Sequence, residues 1–297
     1  MPKTKACMYQ DCYFDAVTGA DYCWQHLPDK DEFRKKIQQM AREDDLVEAF
    51  LPNVDFQGLD FAGCNFAGAI FTGAYVEGAL FDGCDLENAD FKRAHLSTAS
   101  FKKANLKRTN FEGAFLQAAI LTEAKLTEAR FNYASCRDID LTKCDLVDAS
   151  AVSADFWEAV LRECDATRFH APWIFAFKAD LSSAKLHSAN FGGGKFLEAN
   201  LSNADLYDVN LVGADLSFAK AEGASFPRAR LGLCNFYKTN LNKADFSGTI
   251  AREANFQSAD LADASLQGSI LQRAMMRDAK VEEDQIASAG NTDGLRW

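Results

Sequence analysis

The 297-residue chain carries 43 acidic against 32 basic side chains, a net charge of -11, with 48% hydrophobic residues. That balance argues against nucleic acid or an anionic membrane as a general partner, because both demand surplus Lys and Arg. No apolar run approaches the roughly 18 residues of a membrane span, and the amino end, Met-Pro-Lys-Thr-Lys, lacks the apolar stretch of a signal peptide; a cytoplasmic protein with no membrane contact is the expectation.

The chain begins with Cys7, Cys12, Cys23 and His26, spaced Cys-x4-Cys-x10-Cys-x2-His among Tyr9, Tyr13, Phe14, Tyr22 and Trp24. Ligands separated by a few residues can close a tetrahedral site, and a Cys3His set suits structural zinc. Residues 1–28 thus resemble a zinc-knuckle module, with zinc as the expected cofactor and no open coordination position for catalysis. The other reading is three free thiols and a surface histidine. So short a segment buries too little apolar area to fold alone, which favours the metal.

Residues 29–50 read as a helix. Asp29 or Asp31 can cap it, Phe33, Ile37, Met40 and Val47 recur at roughly helical spacing, and Pro52 closes it. A solenoid end exposes unpaired edges and apolar core, so this helix is expected to cap one; a partner-binding helix is the alternative.

From Phe56 onward nearly every fifth residue is large and apolar, and the register holds as far as Val281. Two residues before each stands a small one, such as Ala69, Ala74 or Ala79. A spacing of two puts both side chains on one side of an extended segment. Five is odd, so a straight strand would turn the next unit outward; a corner must follow each pentad, and Gly58, Gly63, Gly68 and Gly73 fall where it would lie. Between Phe81 and Leu116 the large position alternates Phe and Leu, a ten-residue period that only an even-sided coil can stack like on like. Cys64 with Cys84, and Cys144 with Cys164, repeat at twenty.

Ala89-Asp90-Phe91, Ala104-Asn105-Leu106, Ala179-Asp180-Leu181 and Ala204-Asp205-Leu206 resemble the pentapeptide-repeat family, whose pattern is Ala-Asp/Asn-Leu/Phe-x-x. The resemblance spans residues 51–284. It implies an all-β solenoid, a right-handed quadrilateral β-helix of about eleven coils and on the order of 55 Å long. An interior filled with Ala, Leu and Phe leaves no substrate cavity, so function must lie outside.

In a four-sided coil, one face collects Tyr75, Phe115, Trp157, Phe175, Phe177, Phe218 and Tyr237. An aligned aromatic stripe suggests a contact surface, here for a protein partner or a second copy of the chain. Outward charges make three faces acidic and one basic, the last carrying Arg93, Arg130, Arg230, Arg252 and Arg273. The small-then-large order inverts between Phe169 and Ala176. Either large and small residues have exchanged places inside the coil, or a loop protrudes at Phe169, Pro172 and Trp173.

Cys64, Cys84, Cys136, Cys144, Cys164 and Cys234 occupy inward positions and read as core. His95, His170 and His187 lie on three faces and form no cluster. Gly192-Gly193-Gly194-Lys195 lacks the spacing of a phosphate loop. Residues 285–297 lose the pattern and are expected to cap the last coil or mediate self-association.

No nucleophile with its base, paired carboxylates or open metal site can be assembled from these positions, so a non-enzymatic binding or scaffold protein is expected. The resemblance implies a second reading, because some members imitate duplex DNA and protect DNA gyrase, a type II topoisomerase, from quinolones. Duplex DNA of the same length carries about 32 charges. This chain carries far fewer and concentrates them on no single face.

Overall fold

Each pentad has five backbone amides, and the destination of each one defines the fold. We use a computed structural model, which describes residues 4–43 and 45–297. In the pentad Phe66–Ile70, Phe66 N and Gly68 N donate to Asp85 O and Glu87 O of the next coil at 2.7 and 2.8 Å, and Ile70 N donates back to Ala49 O at 2.8 Å. Ala69 N closes the corner on Phe66 O at 2.9 Å. The fifth amide, Ala67 N, is left outside the ladder and is taken by Asn65 Oδ1 at 3.1 Å.

This accounting explains the Asp or Asn that precedes many of the large residues: its carboxylate or amide oxygen can satisfy the one donor that the ladder cannot. Every aspartate at this position, from Asp55 to Asp260, accepts the amide two residues on. Much of the chain's acidity therefore serves its corners.

Parallel bridges join residues twenty apart without a break from Phe50–Ile70 to Asp260–Lys280. With one corner per pentad, four sides make a coil and the chain is a β-solenoid. The pairings are isolated bridges, not extended strands, because so few residues lie between successive corners. The second corner residue has positive φ throughout, 67° at Gly58 but also 55° at Arg93 and 56° at Trp173, as a type II turn requires. Glycine is accommodated there, not demanded.

Inside, like stacks on like. Phe71, Phe91, Phe111 and Phe131 form one column with ring centroids 4.7, 5.6 and 4.9 Å apart. The six repeat cysteines are buried. Burial pushes the Cys84 and Cys164 thiols up to about 12, so they are core groups without nucleophilic character.

No loop interrupts the rod at Phe169, Pro172 and Trp173. The bridges Ser150–His170, Asp155–Phe175 and His170–Asn190 keep their register, and Phe169 and Ile174 are buried in small positions while Ala166, Ala171 and Ala176 take large ones. Large and small have exchanged places, conserving volume.

The helix α1 (Lys30–Glu43) is shorter than the sequence implies. Asp29 caps it, accepting from Glu32 N at 2.9 Å. Leu46 already begins the first pentad, donating to Asn65 O, and Val47 sits at an exposed corner, not on a helix face. Buried Phe33, Ile37 and Ala41 join the core of the first coil, where Phe33 lies 6.4 Å from Phe56. At the other end, α2 (Glu283–Ala287) replaces a pentad. Gln285 Nε2 donates to Leu261 O at 2.9 Å and Ala264 O at 2.7 Å, the second standing in for the amide that the regular ladder would supply to Ala264 O. The tail then rejoins the ladder shifted by one residue, at Ile270–Asn291 and Met275–Arg296.

Candidate metal cluster and recognition faces

The amino-terminal segment folds around its four metal-ligand side chains. Ala6 and Asp15 form an antiparallel bridge, Cys7 N donates to Phe14 O at 3.0 Å, Cys12 N turns back on Tyr9 O at 3.1 Å, and a 3-10 turn at Trp24–His26 brings His26 beside Cys23. The ligand atoms of Cys7, Cys12, Cys23 and His26 all lie within 4.8 Å of one another. Cys12 Sγ is 3.9 Å from Cys23 Sγ, and His26 Nδ1 is 3.3 and 3.6 Å from the sulfurs of Cys23 and Cys7.

Tetrahedral zinc with Zn–S near 2.3 Å and Zn–N near 2.0 Å would space its sulfurs about 3.8 Å apart and each sulfur about 3.5 Å from the nitrogen. The donor set fits. Burial would push the Cys7 thiol up, but the backbone at Cys23 and Tyr9 and the His26 side chain bring it down to about 6, near the thiolate form that a metal requires. At Cys12 a backbone hydrogen bond from Phe14 acts downward, yet burial and the neighbouring Cys7 and Cys23 leave that thiol raised.

The module is pinned to the rod. Thr18 N donates to Phe50 O at 2.9 Å, Phe50 N donates to Thr18 Oγ1 at 2.7 Å, and Trp24 packs edge-on to Phe33 and Phe56. Beside this junction a groove of about 460 Å³ is lined by Phe14, Val17, Trp24, Phe50 and Tyr75. Tyr75 is also the first ring of the aromatic face.

The seven residues of that face share one side of the coil, and several meet. Tyr75, His95 and Phe115 stack at 4.5 and 4.9 Å, nearly parallel. His95 belongs to this column; the twenty-residue spacing 75, 95, 115 carries the signal, which a search for histidine clusters passes over. Further along, Trp157 lies 4.2 Å from Phe177 and Phe218 lies 5.6 Å from Tyr237. Arg137, Lys178 and Lys238 sit over these rings at 5.0 to 5.8 Å. Tyr75, Phe115, Trp157, Phe175 and Phe218 each keep 41 to 51% of their surface exposed.

Two family descriptions match the chain: a pentapeptide repeat region over residues 54–131 and 76–151, and pentapeptide repeats in eight copies over 179–217, 214–250 and 252–283. Together they cover more than half of it. The chain belongs to the pentapeptide-repeat family. Among solved structures, this pentapeptide-repeat chain is similar to HetL of the cyanobacterium Nostoc sp. strain PCC 7120, described as involved in heterocyst differentiation regulation. Identity is 21%, coverage 88% of this chain and 93% of that one, and TM-score 0.28. It is also similar to full-length QnrB1, a plasmid-mediated fluoroquinolone resistance protein, at 18% identity, covering 80% and 95% with a TM-score of 0.32. No curated protein matches it.

The pentapeptide frame also explains the glycine run. A Cβ built on Gly193 would come within 2.7 Å of the Trp173 ring one coil below, and one on Gly194 within 3.2 Å of Ile174 Cγ2. These glycines receive the large residues of the exchanged segment. Among the described residues no helix is long and apolar enough to cross a membrane.

Proposed function

We propose that this pentapeptide-repeat protein is a non-enzymatic binding scaffold whose aromatic face engages a protein partner or a second copy of the chain. The observation that carries this reading is the alignment of Tyr75, Phe115, Trp157, Phe175 and Phe218, all strongly exposed, on one side of a rigid rod. Apolar rings held in register by a backbone ladder lose little entropy on binding, which favours flat complementary surfaces. In this reading the cysteine–histidine module holds one structural zinc through Cys7, Cys12, Cys23 and His26, and α1 caps the first coil, so that both protect the end of the rod.

The second reading, imitation of DNA towards a type II topoisomerase, needs a concentrated acidic face. Its support is weakened because the repeat aspartates are committed to corner amides and many are also paired, as Asp155 is with Arg137 and Asp180 with Arg162.

Replacing Phe115, Trp157 and Phe218 together by Ser tests the proposal. The wild-type chain captures a partner or self-associates in sedimentation, and the triple variant loses that association while keeping its fold. Association unchanged by the three substitutions contradicts it.

A further inference from the structure

We infer that the basic side of the rod, from Arg130 to Arg252, docks an extended acidic peptide segment of a partner. This side is adjacent to the aromatic face and goes beyond the proposal above in surface and chemistry. Across the seven successive sides that start at Arg130 and end at Ile250 and Arg252, the outward positions carry a single acid, Glu253 at the far end, and it is paired with Arg273 at 3.8 Å. The six sides from Arg130 to Leu233 give about 24 Å of acid-free surface at the usual inter-strand spacing, on a chain of net charge -11.

The cations there are unpaired. Among the described residues, eight arginines have a carboxylate within 4.0 Å, whereas Arg130, Arg230 and Arg252 have none, as is also true of Arg93, Arg228 and Arg296. Arg130 and Arg230 also occupy the position where Asp or Asn elsewhere accepts the amide two residues on. That corner hydrogen bond is relinquished at both, as it is at Tyr75, Phe115 and Ile250, and here the position presents a cation instead. His170 takes the same position, but Pro172 follows it and offers no amide to satisfy.

Apolar surface is offered alongside. Tyr133, Trp173 and Leu233 are 61 to 67% exposed, more than any other large apolar residue of the repeat, and all three stand at corners of this side with φ of 56 to 59°. Between Trp173 and Arg230 runs an open groove of about 540 Å³ lined also by His170, Asn190, Gly192 and Asn210. Asn210 Nδ2 donates to Asn190 Oδ1 at 2.8 Å, and Asn190 Nδ2 donates to His170 Nδ1 at 3.3 Å. Each amide keeps a second N–H, so the groove presents donors and no anion.

Guanidinium groups that lack a partner bind carboxylates bidentately, and the amide row suits peptide carbonyls. An extended chain of about nine residues spans the strip. Three arginines over that length match spaced carboxylates. They are too sparse for a nucleic-acid strand, whose phosphates recur at every nucleotide and would meet the acidic sides next door.

The test uses the full chain and fluorescence anisotropy with a labelled 12-residue peptide holding four Glu among Ala, Leu and Gly. The same peptide with Lys for Glu, and a 12-mer of oligothymidylate, serve as comparison probes. The Glu peptide is expected to bind at least about tenfold tighter than either, to quench Trp173 fluorescence, and to weaken at least about tenfold in the double variant Arg230→Glu, Arg252→Glu. Lys107→Glu, a charge change on another side, leaves binding within about twofold. No binding, equal binding of the Lys peptide, tighter binding of the oligonucleotide, or equal losses in the Arg and Lys107 variants overturns the inference. The triple Ser variant of the aromatic face retains peptide binding, so failure here and failure of the scaffold proposal are distinguishable.

Discussion

Ile174 and Gly194 share one packing slot across a coil boundary: a methyl group on Gly194 would approach Ile174 Cγ2 to 3.2 Å and the Phe196 ring to 2.7 Å. Elsewhere in the rod that inward position holds Ala over Ala, as at Ala179 and Ala199. Gly194→Ala is therefore expected to destabilise the protein by about 1–3 kcal/mol through overpacking. Adding Ile174→Ala should recover part of the loss, since contacting sites are non-additive. Chemical denaturation of the single and double variants reads both; a double variant that recovers none of the loss contradicts the shared packing slot.

Asp180 tests the role assigned to the corner aspartates. Its Oδ1 accepts from Ser182 N at 3.1 Å and Asn200 Nδ2 at 3.0 Å, and its Oδ2 from Arg162 Nε at 2.7 Å. Asp180→Ala should cost about 1–2 kcal/mol, and Asp180→Asn, which keeps an acceptor, clearly less. Partial burial would raise the carboxyl, but the Ser182 hydroxyl and amide and the Arg162 guanidinium outweigh it and hold Asp180 below the ordinary range.

A depressed folded value means that this contribution is complete above the unfolded value near 4 and is lost as pH falls through the lower folded value. Asp165 and Asp260 are shifted the same way. The denaturation midpoint should therefore decline below about pH 4, less steeply in Asp180→Asn. Equal acid sensitivity of the variant argues against the assignment.

Native mass spectrometry of the intact chain reads the metal directly. One zinc per chain is expected, with none retained by Cys12→Ser or Cys23→Ser. Because the solenoid ladder starts independently at Leu46, metal loss should disorder the amino-terminal module and leave the β-solenoid spectrum largely intact. A chain that carries no metal when purified without chelator contradicts the zinc reading.

The repeat, its four-sided coil and the Cys3His spacing were legible because each depends on sequence separation alone. The Phe91, Phe111 and Phe131 column follows from counting by twenty, and so does the membership of His95 in the aromatic stack. Where two local signals compete, periodicity fails. Val47 continues the helical spacing of Phe33 and Ile37, yet Leu46 gains more by opening the ladder. The tail looked unpatterned because one residue inserted around α2 moves Asn291 and Arg296 out of the five-residue phase while they still bridge to Ile270 and Met275. At Phe169 and Ile174 the sequence leaves exchange and loop both open, and the unbroken bridge register with both side chains buried decides for the exchange.

Hydroxyl-radical footprinting of the chain in complex with its captured partner tests the scaffold most directly, because it reports side chains one by one. Phe115, Trp157, Phe175 and Phe218 are expected to be shielded together, while Tyr207 on another side and Tyr13 in the amino-terminal module react as in the free protein. Shielding of Tyr207 or Tyr13 with the four aromatic-face residues unchanged would contradict the account.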